Sequence, residues 1–172
     1  MQPERPALPT GAALLLVLLL LVAAGIQANL AGTVSDLTRG QPDLILVIVL
    51  VAALLSDAAL GCLIGFGGGL LTAALVGETV GSYLVSRIIA GFVAGSLAGR
   101  FFRTNALVIA ATVFLGSLVA EAAYGLAAPP LRGVSLVRYA EVVVANVVWN
   151  TALAVPVAYL LRRCGWGGGM PR

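Results

Sequence analysis

The sequence predicts an all-α, polytopic membrane protein with six transmembrane helices in one bundle. Of its 172 residues, 60% are hydrophobic and only 10% are charged, whereas soluble domains are about 45–50% apolar and about 25% charged. Such a chain has too few polar side chains to cover a surface exposed to water. Because a spanning helix takes about 20 residues, the length leaves room for six or seven spans and excludes a separate soluble domain.

Six apolar stretches are the candidate spans. They cover residues 11–28, 43–55, 59–76, 81–99, 106–128 and 139–161. The first stretch ends in Ile26-Gln27-Ala28, which lacks the small-x-small pattern of a signal-peptide cleavage site. We therefore expect this stretch to be retained as a helix.

The second stretch is short for a full span, and only Ser56, Asp57 and Ala58 separate it from the third. This spacing predicts a tight helical hairpin, and carboxylates such as Asp57 and Glu78 are ordinary in such turns. We predict one six-helix transmembrane domain over residues 1–165 and a flexible C-terminal tail over residues 166–172, which contains three consecutive glycines.

Arginine positions near the span ends predict the orientation, because cytoplasmic loops carry an excess of basic residues. If both termini are cytoplasmic, six arginines lie inside and three lie outside. The inner set is Arg5, Arg100, Arg103, Arg162, Arg163 and Arg172, and the outer set is Arg39, Arg132 and Arg138. Cys62 and Cys164 then lie on the reducing side, where no disulfide is expected, and two distant thiols do not form a metal site.

The composition excludes several kinds of chemistry. The chain has no histidine, and its ten basic residues are all arginine. It therefore lacks the usual proton shuttle, the commonest metal ligand, a Schiff-base lysine and the lysine of a phosphate-binding loop. No Ser-His or paired-aspartate arrangement falls within the spans, so we predict no catalytic residue, cofactor or metal, and hence no enzyme. A net charge of +3 with scattered arginines does not fit a nucleic-acid binder.

Four polar residues inside the spans are the candidate site: Arg87, Glu121, Asn146 and Asn150. Arg87 and Glu121 each lie roughly 10 Å from the outer end of their stretch. An unpaired charge in hydrocarbon costs several kcal/mol, so we predict that these two form an ion pair. Asn146 and Asn150 are four residues apart and share a helix face at about the same depth.

We expect these four side chains to form one buried polar cluster in the outer half of the membrane. Two interpretations stay open. Either the cluster only ties helices together through hydrogen bonds, or it lines a ligand pocket or receives a polar residue from a partner helix.

Glycines that recur every four residues form a smooth strip on the third stretch and another on the fourth. Such strips allow close helix approach, either within the bundle or with a partner helix. The residues are Gly61, Gly65 and Gly69 on the third stretch, and Gly91, Gly95 and Gly99 on the fourth.

Several motifs in order along the chain resemble the MreD family of bacterial rod shape-determining membrane proteins. They are Gln27, Gly-Gln-Pro-Asp-Leu at 40–44, Gly-Phe-Gly-Gly-Gly-Leu-Leu at 65–71, Gly81 with Gly-Phe-Val-Ala-Gly at 91–95, and a final segment from Glu141 through Asn146, Asn150-Thr151 and Pro156–Tyr159 to Arg162-Arg163. The resemblance covers nearly the whole chain. One departure is Thr72-Ala73, where the family often has an aspartate after Gly-Leu-Leu. If that aspartate makes an essential contact, its role in this chain is either altered or taken by another residue such as Glu78.

The resemblance implies a non-enzymatic scaffold of the cell-elongation complex in the bacterial cytoplasmic (inner) membrane. Its expected partners are a single-span MreC-like protein and the surrounding lipid, and indirectly the RodA glycosyltransferase, its class B transpeptidase partner and MreB. Through MreC it would influence peptidoglycan synthesis; whether the chain also forms a homodimer is left open.

The resemblance also implies a six-helix fold similar to that of the substrate-binding S-components of energy-coupling-factor vitamin transporters. A vitamin-binding subunit of such a transporter is therefore the alternative function. It would use the polar cluster as a ligand site.

Overall fold

The chain forms a helical bundle in a computed structural model. The structure describes residues 10–38, 40–77, 80–98, 105–128 and 135–166. In these ranges the helices are α1 (Thr10–Thr38), α2 (Leu44–Leu54), α3 (Ala58–Val76), α4 (Val80–Leu97), α5 (Ala106–Ala127) and α6 (Leu136–Arg163), and no strand occurs. The predicted all-α class is confirmed.

Five of these helices are long and apolar enough to cross a membrane, and α2 is the exception. Its 11 residues extend about 16 Å at 1.5 Å per residue, about half the thickness of a bilayer core. The count of six membrane crossings therefore stays a prediction.

The short helix α2 lies at the centre of the bundle. All residues from Ile45 to Leu54 are buried, and α2 contacts each of the other five helices. A helix that is apolar on all sides needs such surroundings. Helices α3, α4, α5 and α6 pack in sequence around it, and α1 packs on α2 and α3.

The outward faces of the surrounding helices are apolar. Leu14 of α1, Leu63 of α3 and Val144 of α6 are each at least 60% exposed. On a soluble protein, large exposed apolar surfaces are rare outside interaction sites, whereas lipid solvates them. The exterior of the bundle therefore fits a membrane.

The connection between α2 and α3 is the predicted tight hairpin. Asp57 begins α3, and its Oδ1 accepts a hydrogen bond from the backbone N–H of Leu60 at 2.9 Å. This N-cap satisfies a donor that the helix itself leaves unpaired. The carboxylate of Asp57 thus has a structural role.

Trp166 packs against the C-terminal end of α2. Its indole is 3% exposed, and Nε1 donates a hydrogen bond to the carbonyl oxygen of Ala52 at 3.1 Å. That carbonyl lies in the last turn of α2, where the helix backbone supplies no partner, and the hydroxyl of Ser56 also donates to it at 2.7 Å. The packed bundle thus includes Trp166, which lies in the tail that the sequence predicts to be flexible, and residues 167–172 lie outside the described part of the chain.

Candidate functional site

The polar cluster is built around the segment that precedes α2, residues 40–43. Two asparagines of α6 accept hydrogen bonds from its backbone. Asn146 Oδ1 accepts from the N–H of Gln41 at 2.9 Å, and Asn150 Oδ1 accepts from the N–H of Asp43 at 2.8 Å. Non-helical backbone at membrane depth needs partners supplied by the protein, because lipid supplies none.

Asp43 links this segment to α4. Its Oδ1 accepts from the N–H of Leu46 at 2.9 Å and caps α2, while its Oδ2 forms an ion pair with Nη2 of Arg87. Arg87 is only 5% exposed, so a counter-charge is essential for it. The expected ion pair between Arg87 and Glu121 is wrong, because Asp43 neutralises the guanidinium instead.

The remaining contacts of Arg87 connect α4 to α5. Nη1 donates to Ser86 Oγ at 2.9 Å, and that hydroxyl donates to the carbonyl oxygen of Ala120 at 2.8 Å. The guanidinium carbon lies 5.5 Å from the centre of the Tyr83 ring, within the range of a cation–π interaction. Nε is buried and has no hydrogen-bond partner in the part of the chain that the structure describes.

Glu121 belongs to the α5–α6 side of the cluster. Its Oε1 accepts from Nδ2 of Asn146 at 3.1 Å, and its carbonyl oxygen accepts from the hydroxyl of Tyr139 at 3.2 Å. Asn150 makes a parallel contact, because its Nδ2 lies 3.2 Å from Ser117 Oγ. Each asparagine therefore uses its amide oxygen on the segment before α2 and its amide nitrogen on α5.

The four predicted residues thus belong to one network, but its central member, Asp43, was missed. In the sequence, Asp43 stands as the first residue of the apolar stretch 43–55. The signal that could have found it is an aspartate directly before an uninterrupted apolar run, which is the pattern of a helix N-cap. Together the network holds α2 at its start and joins it to α4, α5 and α6.

The glycine strips of α3 and α4 lie against each other. A Cβ on Gly61 would lie 2.2 Å from the carbonyl oxygen of Gly91, and a Cβ on Gly65 would lie 2.3 Å from that of Arg87. Real Cβ atoms essentially never come this close. The strips therefore pack within the bundle.

The other members of the strips are also in close contact where the structure describes them. A Cβ on Gly69 would lie 2.9 Å from Cα of Leu84, and one on Gly95 would lie 2.4 Å from the carbonyl oxygen of Asp57. Gly99 lies outside the described residues.

Thr72, the departure from the family pattern, is buried in α3. Its hydroxyl donates to the carbonyl oxygen of Gly68 at 2.8 Å, within the same helix. The hydrogen bond of the Thr72 hydroxyl therefore does not join α3 to another helix. Glu78, the residue that would replace the missing aspartate, lies outside the described residues.

Comparison with models of protein families identifies the family to which this chain belongs. The family model described as rod shape-determining protein MreD matches residues 10–164. This chain belongs to the MreD family. The match includes all the residues of the polar cluster, and it confirms the resemblance found in the motifs. As an MreD-family member, the chain is a membrane protein with a role in determining rod shape, in a system that also includes MreC and MreB.

MreD is a family of shape-determining membrane proteins and is not a known enzyme family. No curated protein and no solved structure matches this MreD-family chain. The similarity to transporter S-components therefore stays a prediction.

Proposed function

We propose that this chain is a non-enzymatic scaffold of the cell-elongation complex in the bacterial inner membrane. It binds a single-span MreC-like protein and, through it, supports or regulates peptidoglycan synthesis by the RodA glycosyltransferase and its class B transpeptidase partner, above the MreB filaments. The observation that carries this proposal is the MreD-family match over residues 10–164.

The contacts that the polar side chains make within the bundle support a scaffold function. Asn146 and Asn150 each bond to the segment before α2 and to α5, and Arg87 is neutralised by Asp43. These groups are therefore engaged in holding helices together. A scaffold requires such a rigid bundle, because it must present a constant surface to its partners.

The alternative is the substrate-binding subunit of a vitamin transporter. It draws support from the polar cluster, since Arg87, Glu121 and the two asparagines are groups able to bind a polar ligand. Apart from Arg87 Nε, the hydrogen bonds of these groups go to the protein itself, so a ligand would have to displace those bonds. This cost favours the scaffold.

Affinity purification separates the two functions. The full-length chain, tagged at one terminus, is expressed at native level in its own bacterium, extracted in mild detergent and analysed by mass spectrometry. We expect an MreC-like protein together with cell-wall polymerases. An unrelated multi-pass protein with the same tag is the control for non-specific recovery.

Recovery of paired ATPases with a coupling membrane subunit would overturn the scaffold and support the transporter. A second readout is cell shape. Cells depleted of the chain are expected to become round, and a plasmid copy is expected to restore rods. Depleted cells that stay rod-shaped would contradict the proposed role.

A further inference from the structure

The network around residues 40–43 contains three ionisable side chains whose charges do not balance. Asp43 and Glu121 are acidic, and Arg87 is basic. The guanidinium forms its ion pair with Asp43, and within the described ranges Glu121 has no ion pair. With all three groups ionised, the network therefore has an excess of one negative charge.

The surroundings of Glu121 supply a hydrogen bond but, in the described ranges, no second cation. Its helix α5 packs against α2, α4 and α6, and α2 consists of apolar residues only. The titratable groups that face Glu121 are Asp43 before α2, Arg87 of α4 and Tyr139 of α6. One guanidinium thus lies within electrostatic range of two carboxyl groups.

A proton on Glu121 removes the imbalance. An uncompensated charge within a span costs free energy, whereas a neutral carboxylic acid does not carry this cost. Its Oε1 still accepts the hydrogen bond from Nδ2 of Asn146 at 3.1 Å. Glu121 is partly buried and lies six residues before the end of α5, about 9 Å along the helix axis. A proton therefore needs only a short path to water.

Arg87 has the free donor that an ionised Glu121 would use. Its Nη1 and Nη2 donate to Ser86 and Asp43, whereas Nε is buried and lacks a hydrogen-bond partner in the described part of the chain. A buried donor without a partner costs free energy. A charged carboxylate on α5 would therefore attract the guanidinium.

We propose that Glu121 binds a proton in the packed bundle, and that loss of this proton transfers the guanidinium of Arg87 from Asp43 to Glu121. The acid gives its proton to water, and the carboxylate then accepts a hydrogen bond from Arg87 Nε, so no other covalent bond changes. Because Asp43 also caps α2, the transfer loosens the attachment of α4 to the start of α2. Such a switch is independent of whether the chain acts as a scaffold or as a transporter subunit.

Infrared spectroscopy of the full-length chain in lipid vesicles tests the protonation. A neutral carboxylic acid has a carbonyl-stretching band that a carboxylate lacks, and carboxyl groups in water are ionised near neutral pH. We expect this band near neutral pH, and we expect Glu121→Gln to remove it. Glu141→Gln, the same substitution on α6, is the matched control and should leave the band unchanged. Labelling the glutamate carboxyl groups with a heavy carbon isotope should shift the band in the unmodified chain.

A pH titration of the same band tests the transfer of Arg87. Asp43→Asn keeps a residue able to cap α2 and frees Arg87 for Glu121. We expect the band to disappear at a pH about one unit lower than in the unmodified chain, which is about tenfold weaker proton binding. The double variant Asp43→Asn with Arg87→Leu should not show this shift, because the guanidinium that stabilises the carboxylate is gone.

The proposal is overturned if the unmodified chain lacks the band near neutral pH, or if the isotope does not shift it, since Glu121 is then ionised. The isotope result does not depend on whether any variant folds. A band that persists in a folded Glu121→Gln variant would assign the proton to another residue. An equal shift in Asp43→Asn and in the double variant would mean that Asp43 acts only by like-charge repulsion, and no shift in either would likewise contradict the transfer of Arg87.

Discussion

Asp43 combines two roles that usually belong to different residues. One carboxylate oxygen caps α2 through Leu46, and the other forms the ion pair with Arg87. Because the N-terminus of a helix carries partial positive charge, a carboxylate there is stabilised twice. The position of α2 in the bundle is therefore coupled to the charge on α4.

Replacing Arg87 tests this coupling. Arg87→Leu leaves the partly buried carboxylate of Asp43 without its counter-ion, and we expect a loss of about 3 kcal/mol in the free energy of unfolding. The double variant Arg87→Leu with Asp43→Asn should be more stable than Arg87→Leu alone, because the unpaired charge is gone and the cap remains. Arg138→Leu, at an exposed position of α6, is the control. Equal melting temperatures in detergent for Arg87→Leu and Arg138→Leu would contradict the role of the ion pair.

Asn150 offers a second test. It is fully buried and bonds to the N–H of Asp43 and to Ser117 Oγ. Asn150→Leu leaves these groups without partners, and we expect about 1–3 kcal/mol of destabilisation. Asn29→Leu is the matched control, because within the described ranges the Asn29 side chain bonds only to Gly25 of its own helix, at an exposed position. Both variants are measured by thermal unfolding in detergent. A similar loss of stability in both would show that these hydrogen bonds contribute no more to stability when buried than when exposed.

At the scale of secondary-structure elements, the close contact between α3 and α4 depends on glycines, which have no side chain. Gly65 faces the backbone of α4, whereas a Cβ on Gly67, two residues along α3, would meet nothing within 4 Å. The same helix thus provides a substitution and its control.

We expect Gly65→Ala to destabilise the bundle by about 1–3 kcal/mol, because a backbone carbonyl cannot move aside as a side chain can. Gly67→Ala should be neutral or stabilising by up to about 1 kcal/mol, since alanine favours a helix more than glycine does. Urea or thermal unfolding in detergent measures both. Tolerance of alanine at Gly65 would mean that α3 and α4 are farther apart than described.

The end of α2 provides another test. Trp166→Ala removes a buried ring and the hydrogen bond to Ala52, and we expect a loss of about 3–5 kcal/mol. Trp166→Phe should retain most of the packing and lose about 1 kcal/mol. Leu160→Ala, at a position that is 47% exposed, is the control. If Trp166→Ala melts at the temperature of the control, the C-terminal end does not stabilise α2.

At the scale of the whole molecule, the described part of the chain arranges five longer helices around a short central one. Residues 40–43 continue from the N-terminal end of α2 toward the start of α6. If this segment and α2 together cross the membrane, the chain makes six crossings and both termini lie on the same side. The arginine distribution predicts that this side is the cytoplasm.

Fusions to the green fluorescent protein test the orientation, because this reporter fluoresces only after folding in the cytoplasm. We expect fluorescence from fusions at either terminus. A periplasmic alkaline phosphatase reporter at the same two sites should be inactive. An active phosphatase at one terminus only would show that α2 does not complete a crossing.

Much of this architecture followed from the sequence. Composition alone determined that the chain is a membrane protein, because 60% hydrophobic residues cannot be covered by 10% charged ones. The apolar stretches located all six helices, and the glycine spacing identified the faces of α3 and α4 that pack closely. These are local properties, set by side-chain polarity and helical periodicity.

Only the tertiary structure decided which groups pair. The sequence predicts matching depths for Arg87 and Glu121, yet the guanidinium meets Asp43, because the segment before α2 packs into the bundle and its backbone must be satisfied there. Trp166 packs against the end of α2, although in the sequence it lies next to a run of glycines. Periodicity reports the face and depth of a residue, whereas pairing depends on which helices become neighbours, and that is determined by the packing of the whole chain.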